Sequence, residues 1–181
     1  TIRQSSVAVL SATLDDHPMT PGQEGWVTQL VDHVQIRLQQ LAGEPLTIAN
    51  ISTYPSDEES RRQLISALES IEALICVVSP AFLRAENCQR LLEDFSQAAE
   101  ANGGLSVDSG SRILKVVKTP VVDDEIPMEV RSRIGDLMAY EFFEQAPNRS
   151  SIVEFDERFG PEAHQKYFQR VYDMAQQLWS V

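Results

Sequence analysis

The residues able to do chemistry fall in a few places along the chain. Asp15-Asp16 is a paired carboxylate after the first apolar run, and Asp57-Glu58-Glu59 and Asp123-Asp124-Glu125 are two further acidic runs. Such groups serve acid–base work, metal binding or attraction of a basic partner. The two later runs precede helical patterns, where a positive helix end favours acid for purely structural reasons. Cys88 lies near a helix start, where the dipole lowers a thiol pKa, but it also falls on an apolar stripe, which favours packing. Cys76 lies mid-strand and reads as inert core. His17, His33 and His164 are far apart, form no metal-ligand pair at helical spacing, and read as surface residues on a loop and two helices. The first strand is followed by Ser11-Ala12-Thr13-Leu14-Asp15-Asp16, with no glycine-rich phosphate loop. That argues against a dinucleotide Rossmann domain or a P-loop enzyme. Asn50-Ile51-Ser52 and Asn148-Arg149-Ser150 match the glycosylation sequon, which carries little weight without a secretory signal.

The chain has 181 residues, a length suited to one domain, and is 43% hydrophobic, enough for a sizeable core. Fifteen Lys and Arg against 27 Asp and Glu leave a net charge of −12. This balance argues against a phosphate-tracking nucleic-acid partner and against docking to an anionic membrane surface. No apolar run approaches the roughly 20 residues that span a bilayer, and nothing near Thr1 reads as a signal peptide. Two cysteines make no disulfide framework, so a reducing, cytoplasmic setting is expected.

The elements that must position these residues alternate. Ser6–Ser11 reads as a first strand. Thr20-Pro21 reads as a helix start running to Ala42, with Trp26, Leu30, Val34, Leu38 and Leu41 on one stripe and Gly43 as the stop. Pro45–Asn50 reads as a second strand. Ser56 with Glu59 fits a capping box for a helix carrying Leu64, Ile65, Leu68 and Ile71. Ala73–Val78 is apolar throughout, as a strand buried on both faces should be. A third helix runs from Glu86 to Ala101, after which Leu105–Ser111 is a polar loop. Arg112–Lys118 and Leu137–Phe143 read as fourth and fifth strands, with a short helix or turn at Pro127–Gly135. Gln145–Gly160 reads as irregular, and Pro161 opens a last helix with Phe168, Val171, Tyr172, Ala175, Leu178 and Trp179 inward.

This βαβα alternation predicts an α/β, three-layer flavodoxin-like sandwich. Its five-stranded parallel sheet has the order 2-1-3-4-5, with helices on both faces. The chain forms one domain, 1–181, with 144–181 a C-terminal extension and last helix packed on it. Right-handed crossovers place the loops after strands 1 to 4 at one edge, where ligands bind in such sheets. An acidic pair after strand 1 resembles the metal pocket of response-regulator receivers. That chemistry also needs an Asp at the end of strand 3, where this chain has Ser79.

The stretch Ser79–Phe95 (SPAFLRAENCQRLLEDF), following an apolar strand, resembles the third strand and next helix of the Toll/interleukin-1 receptor (TIR) family. There the strand ends in Ser-Pro and a Trp-Cys-x-x-Glu-Leu pattern opens the helix. Gly25-Trp26-Val27 with Leu30 resembles the first helix of bacterial TIR domains. Arg112–Pro120, Tyr140–Phe143 and the Phe155–Tyr167 region resemble a longer bacterial subgroup. The resemblance covers nearly the whole chain. It implies one of two activities: cleavage of NAD⁺, or self-association as a signalling adaptor, often through the loop after strand 2. An antiphage or immune role follows from family habit alone.

In the NAD⁺-cleaving members, the Glu three residues after the Cys stabilises positive charge at the ribose. Here Cys88 sets the register, Asn87 stands at the Trp position and Leu91 at the Glu position. Glu93 is turned about 200° round the helix from position 91, which leaves Glu86 as the fallback carboxylate. The resemblance therefore implies a catalytically silent interaction module with no resident cofactor or metal. Its partners would be other TIR domains, its own copies, or further domains of a larger protein. The expected interaction loop is Ser52, Thr53, Tyr54 and Pro55, and the expected pocket edge is Ser11, Asn50, Ser79, Asn87, Cys88 and Lys118. The acidic balance favours a basic partner surface. The alternatives are an NAD⁺ glycohydrolase using Glu86 and a nucleotide-binding sensor.

Overall fold

The structure, a computed structural model, describes residues 6–108, 110–148 and 150–181. The second sequon includes Arg149 and so lies partly outside the described residues. Five strands form one parallel sheet: β1 (Val7–Leu10), β2 (Ile48–Ile51), β3 (Ala73–Val78), β6 (Ile113–Val117) and β7 (Ala139–Glu141). Their order is β2-β1-β3-β6-β7, the expected 2-1-3-4-5 arrangement of an α/β, flavodoxin-like sheet. Val7 pairs with Ile48 on one side and Ala73 on the other, and Leu74 pairs with Ile113.

Side chains alternate across the pleat and so feed two cores. Val9, Ile75, Val77 and Val116 face α1 (Trp26–Ala42) and α6 (Pro161–Ser180), meeting Leu30, Val34, Leu38, Val171 and Leu178. Leu10, Leu74, Cys76 and Val78 face the opposite layer. It comprises α2 (Glu58–Glu69), α4 (Glu86–Ala101) and α5 (Met128–Ile134), which supply Leu68, Cys88, Leu91, Phe95, Val130 and Ile134. Every residue of β3 is at most 1% exposed, as its continuous apolar run predicts. Among the described residues, no helix is long and apolar enough to cross a membrane.

Several elements differ from the sequence reading. Helix α1 begins at Trp26, not at Thr20-Pro21, because its cap comes from a distant carboxylate. Asp16 sits in a 3-10 turn, Thr13–Asp16, and accepts from the Thr28 amide at 2.8 Å and the Thr28 hydroxyl at 2.7 Å. Gly25 precedes the helix because a Cβ there would lie 1.9 Å from the Asp16 carbonyl oxygen. At the other end Gly43 stops α1 as expected, its φ of 72° lying in the left-handed region. Helix α2 is capped by Asp57, which accepts from the Ser60 amide at 2.8 Å, one residue later than the Ser56 box.

A short helix, α3 (Pro80–Arg84), intervenes before α4, with Ser79 as its cap. The loop after α4 holds two paired two-residue strands, β4 (Ser106–Val107) and β5 (Gly110–Ser111). Strand β7 ends at Glu141; the next residue, Phe142, turns fully into the core while its amide makes the last bond to β6, at the Val117 carbonyl. The stretch read as irregular, Gln145–Gly160, instead contributes β9 (Ile152–Glu154), pairs it antiparallel with β8 (Phe143–Gln145), and buries Phe155. Tyr172 is exposed rather than inward; α6 buries Tyr167, Val171, Met174 and Leu178, and the Arg37 guanidinium covers the Tyr172 ring at 4.3 Å.

Candidate functional site

Strands β1 and β3 are adjacent and parallel, so their carboxyl ends bring two loops together. Ser79, buried at the end of β3, donates from Oγ to Asp15 Oδ2 at 2.6 Å and accepts from the Phe82 amide at 3.0 Å. One hydroxyl thus caps α3 and anchors a carboxylate. Burial pushes the Asp15 carboxyl above its ordinary range, while the Ser79 hydrogen bond and the Lys118 charge pull it back. Lys118, just past β6, pairs with Glu154 at 3.3 Å and lies 5.6 Å from the centre of the Trp26 ring. The Glu154 carboxylate also accepts from the Thr119 hydroxyl at 3.2 Å.

Of the expected edge residues, Ser79 and Lys118 therefore meet around Asp15. Ser11 is buried at the end of β1, and Cys88 is buried in the core. Burial, with a smaller push from the Asp15 charge, raises the Cys88 thiol to about 11, which makes it a poor nucleophile near neutral pH. Burial likewise raises the Cys76 thiol far above its usual value. Asn50 and Asn87 are exposed and line no part of the cavity described below.

Leu91 is 1% exposed and packs among the apolar residues under α4. Glu86 is exposed and ion-paired with Arg90 on its own helix, one turn on. Glu93 pairs with Arg133 at 3.3 Å across to α5. In the loop after β2, Thr53 is exposed, whereas Ser52, Tyr54 and Pro55 are half-buried. The Tyr54 hydroxyl donates to Asp94 at 2.9 Å, and the Arg61 and Arg90 guanidinium groups lie 5.9 and 5.8 Å from its ring centre. This loop is pinned onto α2 and α4, so Tyr54 is an anchor rather than a freely presented aromatic.

A cavity of about 500 Å³ opens at the same sheet edge, on the α1 and α6 side, a size ordinary for a small-molecule site. Trp26, Phe155, Tyr167 and Phe168 form its aromatic wall. Asp15 and Lys118 reach it from the sheet, and Asp156 and Arg158 from the turn after β9. Asp156 and Arg158 form a two-pronged pair, Nε–Oδ1 at 2.8 Å and Nη2–Oδ2 at 2.6 Å, which holds the Asp156 carboxyl below its usual range. Both cations at the cavity are thus engaged by carboxylates.

His17, His33 and His164, scattered in the sequence, all line this cavity. His33 Nδ1 and the Tyr167 hydroxyl lie 2.8 Å apart in a hydrogen bond, and the His33 and His164 rings each sit 4.9 Å from Phe168. Burial pushes the His33 imidazole below its ordinary value, against the pull of Asp32 and Glu24 and with a small push from His164. Among the described residues, no three His, Cys, Asp or Glu side chains are placed to hold a metal ion. The signal in the sequence was two helical ridges, Trp26-Gln29-His33 and His164-Tyr167-Phe168, at spacings of three, four and one. Only the packing of α1 against α6 makes them face one another.

Fold and edge together define an open, doubly wound α/β domain with one charged, aromatic-walled recess at the carboxyl ends of its strands. The chain matches no protein-family model, and no curated protein matches it.

Proposed function

We propose that this chain is a TIR-like signalling module that does not cleave NAD⁺ and acts in the cytoplasm through association with other TIR domains or its own copies. The observation that carries this reading is position 91. Where the cleaving members of that family hold a carboxylate, this chain holds a Leu that is 1% exposed within an apolar core. The fallback carboxylate, Glu86, points to solvent and is neutralised by Arg90. Neither position offers a charge to an oxocarbenium-like centre. The two thiols, both buried and free, are compatible with a reducing compartment.

Release of nicotinamide from NAD⁺ by concentrated protein, with and without a crowding agent, tests the reading. The expected result is no release above buffer. Turnover that disappears in Glu86→Gln overturns it. Leu91→Glu is expected to restore nothing. An unpaired carboxylate at a fully buried site costs about 3 kcal/mol or more, so the variant loses thermal stability instead.

A further inference from the structure

We propose that the cavity between the loop after β1, α1 and α6 binds a compact organic cation with an aromatic body, such as an aryl-bearing ammonium. The charge balance of the walls carries the sign. Four carboxylates face the cavity, Asp15, Glu24, Asp156 and Glu157, against two permanent cations, Lys118 and Arg158. Lys118 is taken by Glu154 and Arg158 by Asp156. Asp15, Glu24 and Glu157 have no ion pair among the described residues. An anionic ligand meets no unpaired Lys or Arg here, whereas a cation meets two exposed carboxylates without an ion pair, Glu24 and Glu157, and a half-buried one, Asp15, held by the Ser79 hydroxyl. The net charge of −12 steers in the same direction.

The aromatic wall carries the shape. The Trp26 ring is already covered by the Lys118 ammonium at 5.6 Å, so a ligand's own ring, rather than its charge, packs on that side. The half-buried Phe168 supplies the open ring surface, while Phe155, held in the core by an amide bond to the Phe142 carbonyl, backs the wall from beneath. Asp15 is the positioning anion. Its Oδ2 is fixed by Ser79, and among the described residues nothing hydrogen-bonds Oδ1, which is left to a ligand. Its half-buried setting strengthens attraction to an incoming charge, since screening by water is reduced. This site does not depend on NAD⁺ chemistry and lies across the sheet from Leu91.

Titration calorimetry with three probes of one shape tests the proposal: benzyltrimethylammonium, benzyl alcohol and phenylacetate. The expected result is saturable binding of the cation, with the alcohol and the anion at least about tenfold weaker. Asp15→Asn, which keeps an oxygen for Ser79, weakens the cation about tenfold and leaves benzyl alcohol unchanged. Glu157→Gln, on the exposed turn, weakens the cation by a smaller factor and guards against a folding defect in the first variant. Equal affinity for the three probes, tighter binding of phenylacetate, no saturable binding of the cation at millimolar concentration, or indifference of a folded Asp15→Asn variant each overturns the assignment.

Discussion

A carboxylate does different work depending on what surrounds it, and this chain shows three cases within one sheet edge. Asp16 is spent on structure, capping α1 through Thr28. Asp15 is held by a single hydroxyl and faces the cavity. Asp156 is neutralised by Arg158 and depressed below its usual pKa by that contact. The depression fixes the sign of its pH dependence. A carboxyl with a lower pKa folded than unfolded adds stability above its unfolded value near 4 and loses it as pH falls. Asn at 156 retains an acceptor for the Arg158 amide but removes the charge. Thermal melts should therefore find Asp156→Asn less stable than wild type at pH 7, by about 0.5 kcal/mol for a pair whose arginine is open to solvent. That gap should close between about pH 5 and pH 2 as the wild-type carboxyl takes up its proton. A gap that persists at the acid end would mean that packing, not charge, holds the turn.

At the scale of elements, the loop between β1 and α1 is a built piece rather than a tether. Its 3-10 turn delivers Asp16 to the start of α1 and Asp15 to the cavity on consecutive residues. Gly25 makes this possible, since any side chain there collides with the Asp16 backbone. Gly25→Ala should lift the turn off the helix, remove the Asp16 cap and cost about 2 kcal/mol. In a chain of this size that is a fall in Tm of roughly 4–8 °C, readable by circular dichroism. Because the same displacement moves Asp15, cation binding at the cavity should weaken in the same variant. Helix α1 needs this remote cap because Thr20-Pro21, which has the local signature of a helix start, lies in a turn five residues too early.

At the scale of the molecule, the net charge of −12 sets how any association responds to salt. Copies of this chain repel one another, and raising ionic strength from about 0.05 M to about 0.5 M shortens the screening length to a few ångströms. Self-association should then strengthen with salt in sedimentation velocity, whereas association with a basic partner should weaken. The alternation of apolar runs, and above all the unbroken apolar Ala73–Val78, pointed to a parallel α/β sheet with that run at its centre, since only a central strand buries both faces, and five such strands suggested the order that the sheet shows. Leu91 falls on the apolar stripe of its helix and is buried there. Local signals misled where a distant group supplied the partner, as Asp16 does for the α1 cap. The cavity was beyond reach of the sequence for the same reason. His33 and His164 lie 131 positions apart, and only the packing of α1 on α6 over one face of the sheet turns two unremarkable helical ridges into opposite walls of one site.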